Sequence, residues 1–377
     1  MVRRVLIFLL FFVLIIPDVS IYSTDNDIIP EEYENLIDSI PNDVADLLPE
    51  DIFSTNTDEI ASGAQKITNW NYIIDYIFNT IGMNFKSIIK AFSILLSLLI
   101  LCSLLNSFNS TIKNSALDSV IGLIGNIAII SSIMELSKDP ITQSITLLNN
   151  LKVFVNTISP ALSAMYAMGG NVNSAIIHNY GLIVFLSILE NICIISLELI
   201  IGICMALTLS SAFVREGNLL ALSNAIKKTF SFFLGFIMLT FTTVISTQSL
   251  LASKADNLSS KTAKMLVSQV IPIIGGSIGE SLRTAGASIE YLRSNIGIIL
   301  IVVILLMILP TLINIALYRL AFVIANSFAG LIGCNREGSI ILEISSLFGY
   351  ILAVISICSI VLILLLTVFA KCTSPLN

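Results

Sequence analysis

The sequence predicts an all-α polytopic integral membrane protein, with about six transmembrane helices and two amphipathic, proline-kinked helices set in a parallel tandem repeat. Three observations lead there. Of the 377 residues, 56% are apolar and only 12% charged, and several uninterrupted apolar runs reach the roughly 20 residues a helix needs to cross a bilayer. Lys152, Val155, Ile158 and Pro160 recur 112 residues later as Lys264, Val267, Val270 and Pro272, each set followed by a polar gap and a long apolar run. The same offset carries residues 118–134 onto 230–246, and the run starting at Gly181 onto the one starting near Ile296. One membrane unit built twice accounts for all three matches.

The chain opens with Arg3 and Arg4 and a short apolar run, residues 5–16, too short to span a bilayer. This reads as a secretory signal peptide, residues 1–23, with an uncleaved anchor as the alternative. Next comes an acidic extracytoplasmic segment, residues 24–85. Residues 21–75 hold 13 acidic side chains against Lys66 alone, whereas the chain from Tyr76 onward holds 16 basic and 11 acidic ones. Within it Tyr33, Leu36, Ile37 and Ile40, then Val44, Leu47 and Leu48, recur at helical spacing. Short amphipathic helices fit that pattern, either as a self-repelling tail or as an arm that folds on a partner.

Residues 86–377 form the membrane domain, with repeat units at about 117–213 and 229–325. The spans are expected at residues 87–105, 117–134, 181–213, 229–250, a fifth beginning near Ile296, and 340–370. Each is long enough for a hydrocarbon core of about 30 Å at 1.5 Å per residue. Pro310 and Arg319 interrupt the apolar pattern around residues 311–333, which is either the end of a kinked long helix or a seventh, short or re-entrant one. With the N-terminus outside, Lys113 and the loop bearing Arg215, Lys227 and Lys228 are cytoplasmic, as the positive-inside rule asks, although Lys86 and Lys90 on the outer flank weaken the bias.

The two motif-bearing segments are too polar to span and too regular to be loops. Leu151, Val155, Ile158, Leu162, Met165 and Met168 step by threes and fours to the glycine pair Gly169 and Gly170; Val267, Ile271, Ile274, Ile278 and Leu282 do the same. Each carries a proline that removes a backbone donor. They are expected either to lie on the bilayer surface or to line a central path as re-entrant elements.

No catalytic constellation is present: His178 has no Cys, Asp or Glu near it in sequence, and no metal-ligand spacing, phosphate loop or nucleophile elbow occurs. The expectation is a non-enzyme without a cofactor or a bound metal. Cys102, Cys193, Cys204, Cys334, Cys358 and Cys372 contain no CxxC pair and read as small apolar packing residues. The ionisable groups that need explaining are Glu190 and Glu198. At bilayer depth a carboxylate costs roughly 2.5–3.5 kcal/mol on insertion scales, so both are expected to face protein or water. They are either pathway groups or structural ones, one near the interface and the other paired with a cation such as Arg319. Pro310, which falls opposite Glu198 at the repeat offset, marks the matching helix as the kinked one.

The string SSKTAKMLVSQVIPIIGGSIGESLRTA, residues 259–285, and ILPTLINIALYRLAFVIA, residues 308–325, resemble the C-terminal half of stage III sporulation protein AE, and the overall plan of the chain is similar to that family's. The resemblance implies a multi-pass component of the mother-cell membrane, within the channel complex that joins the mother cell to the forespore across the intermembrane space and sustains forespore development. Implied partners are other membrane proteins of the same operon, some ring-forming, and a forespore membrane protein of the Q type, with lipid around the body and no nucleic acid; self-association is compatible with it. Two competing classes remain at this stage: a stand-alone secondary transporter using Glu190 and Glu198, and a pure assembly scaffold.

Overall fold

The computed structural model describes residues 37, 40–54, 56–112, 115–168, 171–211, 219–270 and 275–371. All regular elements among them are helical. After α1 (Asn42–Ala45) and a 3-10 turn (Glu50–Phe53) come α2 (Thr57–Ile67), α3 (Trp70–Ile112), α4 (Ser115–Met168), α5 (Val172–Ile188), a π-turn (Leu189–Ile194), α6 (Ile195–Ser211), α7 (Leu219–Val270), α8 (Gly275–Leu331) and α9 (Asn335–Lys371). Among the described residues five helices are long and apolar enough to cross a membrane: Asn71–Leu105, Val172–Ser211, Leu219–Ser259, Ser294–Leu331 and Asn335–Val368. The expected span at residues 117–134 lies in α4, where many side chains fall outside the described residues. So do the signal peptide and Pro272, and the side chains of Lys264, Val267 and Val270.

Specific contacts fix the direction of each helix. Tyr76 donates to the Leu306 carbonyl (3.1 Å), Ser87 meets the Tyr318 hydroxyl (3.1 Å) and Ser103 donates to the Ile332 carbonyl (3.1 Å), so α3 and α8 run parallel. Phe322 and Phe348 pack edge to face at 5.4 Å across the α8–α9 hairpin. Phe230 meets Tyr350 at 6.0 Å and Ser223 meets Glu343, which makes α7 parallel to α9. Phe185 stacks on Phe241 and Cys204 approaches the Ser223 carbonyl, so α5 and α6 run against α7. Gln143 on α4 meets Asn314 on α8, while Ile130 and Ile133 lie with Met205 and Ile340, placing α4 in the direction of α7 and α9. Helices α4, α7 and α9 therefore point one way, and α3, α5–α6 and α8 the other.

At the centre is α8. Every residue from Asn295 to Leu306 is buried, more than three turns of helix covered on all sides, the condition under which a helix is apolar all round. Its apolar window is 72% buried, against 22% for α7, which lies on the outside. The helix runs on through Pro310 to Leu331, so residues 311–333 are the end of one long helix and not a separate span. The turn that follows is closed by Gly333 at φ 78°, with the Cys334 amide donating to the Ala329 carbonyl, a left-handed helix stop that glycine adopts without a Cβ penalty. Beyond it Gly338 sits so close to α8 that a Cβ there would lie 2.8 Å from Asn326 Oδ1 and 2.9 Å from the Ala329 Cβ.

The first motif segment is no helix of its own. Residues 151–168 continue α4, through Pro140 and Pro160, and their stripe of Leu151, Val155, Ile158, Leu162 and Met165 is buried in the common core. It packs on protein and not on a lipid surface. The described part of the helix runs to Met168, and the glycine pair Gly169 and Gly170 lies outside the described residues. The described part of the acidic segment also packs inward: Ile37, Ile40, Val44, Leu48, Ile52, Ile60, Ala64 and Ile67 join the core shared with α3 and α8. Asn56 caps α2 by accepting from the Asp58 amide (2.9 Å), Tyr72 donates to the Leu47 carbonyl, and Lys66 beside Asp51 holds that carboxyl below the usual carboxylate range. These residues form an arm folded onto their own chain.

Because α8 and α9 touch backbone-close at Gly338, Gly338→Leu is expected to lower the midpoint of thermal unfolding in detergent by the equivalent of about 1–3 kcal/mol of overpacking. Gly202→Leu, at a glycine with nothing within 4 Å, is expected to leave it unchanged.

Candidate functional site: a buried ion pair and two outward carboxylates

Ser223, Asn224 and Lys227 stand one helical turn apart on one face of α7, and Glu343 and Ser346 do so on α9. The two faces close on each other. Lys227 Nζ is 2.5 Å from Glu343 Oε1, and both side chains are 4% exposed. Ser223 Oγ donates to the same oxygen (2.5 Å), and Asn224 Nδ2 donates to Oε2 (2.8 Å). Lys227 also donates to Ser346 Oγ (3.0 Å), whose hydroxyl donates to Asn224 Oδ1 (2.9 Å). Both charges lie within apolar spans. There an unpaired charge is costly, and a paired one is tolerated only when its remaining donors and acceptors are met. The cluster meets them and ties α7 to α9 in a single register.

Sequence reasoning placed Lys227 in a cytoplasmic loop and did not single out Glu343. The structure puts Lys227 inside α7 and makes Glu343 its partner. Arg319 contributes elsewhere. It lies over α9 at Gly349, where an added Cβ would come within 2.6 Å of its Nη1.

Glu190 and Glu198 do not enter this cluster. Glu190 is the second residue of the π-turn and pairs with Lys152, the lysine of the first motif, at 2.8 Å, with the two side chains 51% and 36% exposed. It is Lys152, and not Arg319, that pairs with a glutamate on this helix. Such an open pair is worth about 0–1 kcal/mol, so it positions more than it stabilises. Glu198 is exposed on α6 and has no hydrogen-bond or ion-pair partner among the described residues. Both carboxylates therefore look outward from the protomer. The π-turn around Glu190 left no periodic mark in the sequence, since one extra residue in a largely apolar run changes no spacing that can be read locally. Such turns recur at functional sites.

A further acidic residue escaped sequence reasoning. Asp256 on α7, 3% exposed, accepts from the backbone amides of Asn173 (3.0 Å) and Ser174 (2.9 Å) and from both their side chains. It caps the start of α5 from another helix, where an anion meets unsatisfied amides and the positive end of the helix dipole. Elsewhere in the core, Cys193 and Cys358 face each other with sulfurs 3.1 Å apart, and all five described cysteines are buried free thiols.

The model of the stage III sporulation protein AE family matches residues 53–373. The chain belongs to that family. The match takes in α2, all the long helices and the buried cluster. No curated protein and no solved structure matches. With five helices of membrane-crossing length and composition, this family member is a sporulation-associated multi-pass membrane protein.

Removing one partner of the cluster strands the other charge. Glu343→Gln is expected to destabilise this protein by about 3–5 kcal/mol, read as lost yield and an earlier detergent melt, whereas Lys227→Met with Glu343→Leu restores most of it. A double variant no better than the single one would mean that the pair is not chiefly a helix clamp.

Proposed function

We propose that this protein is a non-enzymatic subunit of the complex that links mother cell and forespore during sporulation, seated in the mother-cell membrane with its N-terminal arm toward the intermembrane space. The family match over nearly the whole chain carries this reading. The arm fits the role as a folded feature of the body, offering a packed and charged surface to neighbouring subunits. Partners on this reading are the other membrane proteins of the same operon, ring-forming ones among them, and a forespore membrane protein. We further infer that α4 with α5–α6, and α7 with α8, descend from one duplicated unit, which their matching directions and the 112-residue offset support.

A stand-alone transporter would place its coupling carboxylates at the internal interface between the two units. Half-exposed Glu190 and exposed Glu198 lie on the outside instead, an arrangement that favours a subunit working beside neighbours. A pure scaffold remains the second reading, because a filled core serves it equally well.

Tagged protein drawn from membranes of sporulating cells is expected to bring down several membrane proteins of its operon. Glu190→Gln with Glu198→Gln is expected to keep that set while spore yield falls by about an order of magnitude, on the view that outward carboxylates at bilayer depth serve function and not folding. Normal spore yield would favour the scaffold. Recovery of the chain alone would favour the transporter.

A further inference from the structure

We propose that the outer face of α4, bordered by Glu190, is a hydrophilic wall that meets water at bilayer depth and lines a passage for hydrophilic solutes between this chain and its neighbours. The inference rests on the channel-subunit reading and says which surface of the chain would do the lining.

The argument is one of height. Gln143 on α4 accepts from Asn314 of α8 (2.5 Å). One turn on, Tyr318 packs on Phe348, well inside the apolar span Asn335–Val368 of α9. Higher on α4, Lys152 pairs with Glu190, and Cys193 just beyond touches Cys358, again inside that span. Residues 143–152 of α4 therefore lie alongside the α9 span, from its middle toward its C-terminal part. On the other side of the protomer Phe230 meets Tyr350, which brings the next turns of α7 to the same height.

The two surfaces at that height have opposite chemistry. On α7 the outward side chains are Phe232, Phe233, Phe236 and Leu239, between 56% and 71% exposed, as a lipid-facing helix requires. On α4 they are Gln143, Thr146, Asn149 and Asn150, while the apolar residues of that stretch, Leu147, Leu148 and Leu151, are turned into the core. A bilayer is one slab. Gln143 Oε1 is met by Asn314 and Asn149 Nδ2 by the Ile145 carbonyl, but the remaining amide groups and Asn150, facing outward at a depth where phenylalanines also face outward, are not in hydrocarbon with them, because unpaired polar groups there are strongly disfavoured. On the neighbouring helix the exposed Asn191 and Glu198 stand among the exposed Ile183, Ile195, Leu199 and Ile203, so the continuous polar face is that of α4, bordered by Glu190. In α8 the matching depth is filled by its own side chains, so a polar route passes beside the protomer and not through it.

The test places single cysteines at Thr146→Cys and Asn150→Cys on α4, and at Phe236→Cys and Leu239→Cys on α7, in the full chain carrying Cys372→Ser. Membranes from sporulating cells are treated with a membrane-impermeant maleimide, and copurified partners are scored in the same samples. Since a thiol reacts as the hydrated thiolate, the α4 positions are expected to react at least about tenfold faster than the α7 positions. Equal rates at the two sets, or α4 positions slower than α7, would overturn the wall. Partners present with unlabelled α4 positions would remove the wall and leave the complex standing; labelled α4 positions with no partners would remove the complex and leave a wetted face.

Discussion

The burial of α8 is the constraint on which the rest of this structure hangs. A helix covered on every side from Asn295 to Leu306 needs neighbours all around it, and α3, α4, α7, α9 and the folded-back arm provide them. Tyr76 and Ser87 fix α3 along its length, and the Gly333 turn returns the chain as α9, close enough at Gly338 that a methyl group would collide. Within hydrocarbon such packing carries most of the association energy, since lipid offers no hydrophobic drive between helices. The arm matters for the same reason, since it covers α8 where the membrane helices do not.

Charge is distributed in two ways around this centre. Lys227 and Glu343 are drawn inside and fully partnered, so they act as a fixed point between α7 and α9. Glu190, Glu198 and the amide-bearing face of α4 are turned out at depths where α7 presents phenylalanine. The protomer thus has a lipid side and a polar side around a filled middle. The subunit role proposed above fits that division, with neighbours completing what one chain leaves open.

Periodicity revealed much of this. The apolar stripe of Leu151, Val155, Ile158, Leu162 and Met165 was legible from spacing alone, although it packs into the core and not on a bilayer surface or along a central path, and the long run from Gly181 is one nearly continuous rod. Local signals stopped there. Whether residues 311–333 formed a separate element turned on Pro310, whose local penalty is outweighed when neighbouring helices hold both flanks. The Lys227–Glu343 pair joins residues 116 apart and Asp256 caps a helix 83 residues away, so neither leaves a local pattern. The arm read either as a self-repelling acidic tail or as one that folds on a partner, because its carboxylates dominate its composition, while its described isoleucines turn into the core of its own chain and decide where it packs.

The most direct check of the filled centre is electrical. Purified full-length protein, diluted until copies insert singly into a planar bilayer, should pass no current above the lipid background under a steady voltage, because α8 occupies the middle of each copy and the polar face lacks its neighbours. A steady conductance from single copies would contradict this, and would mean that a path runs through the protomer itself.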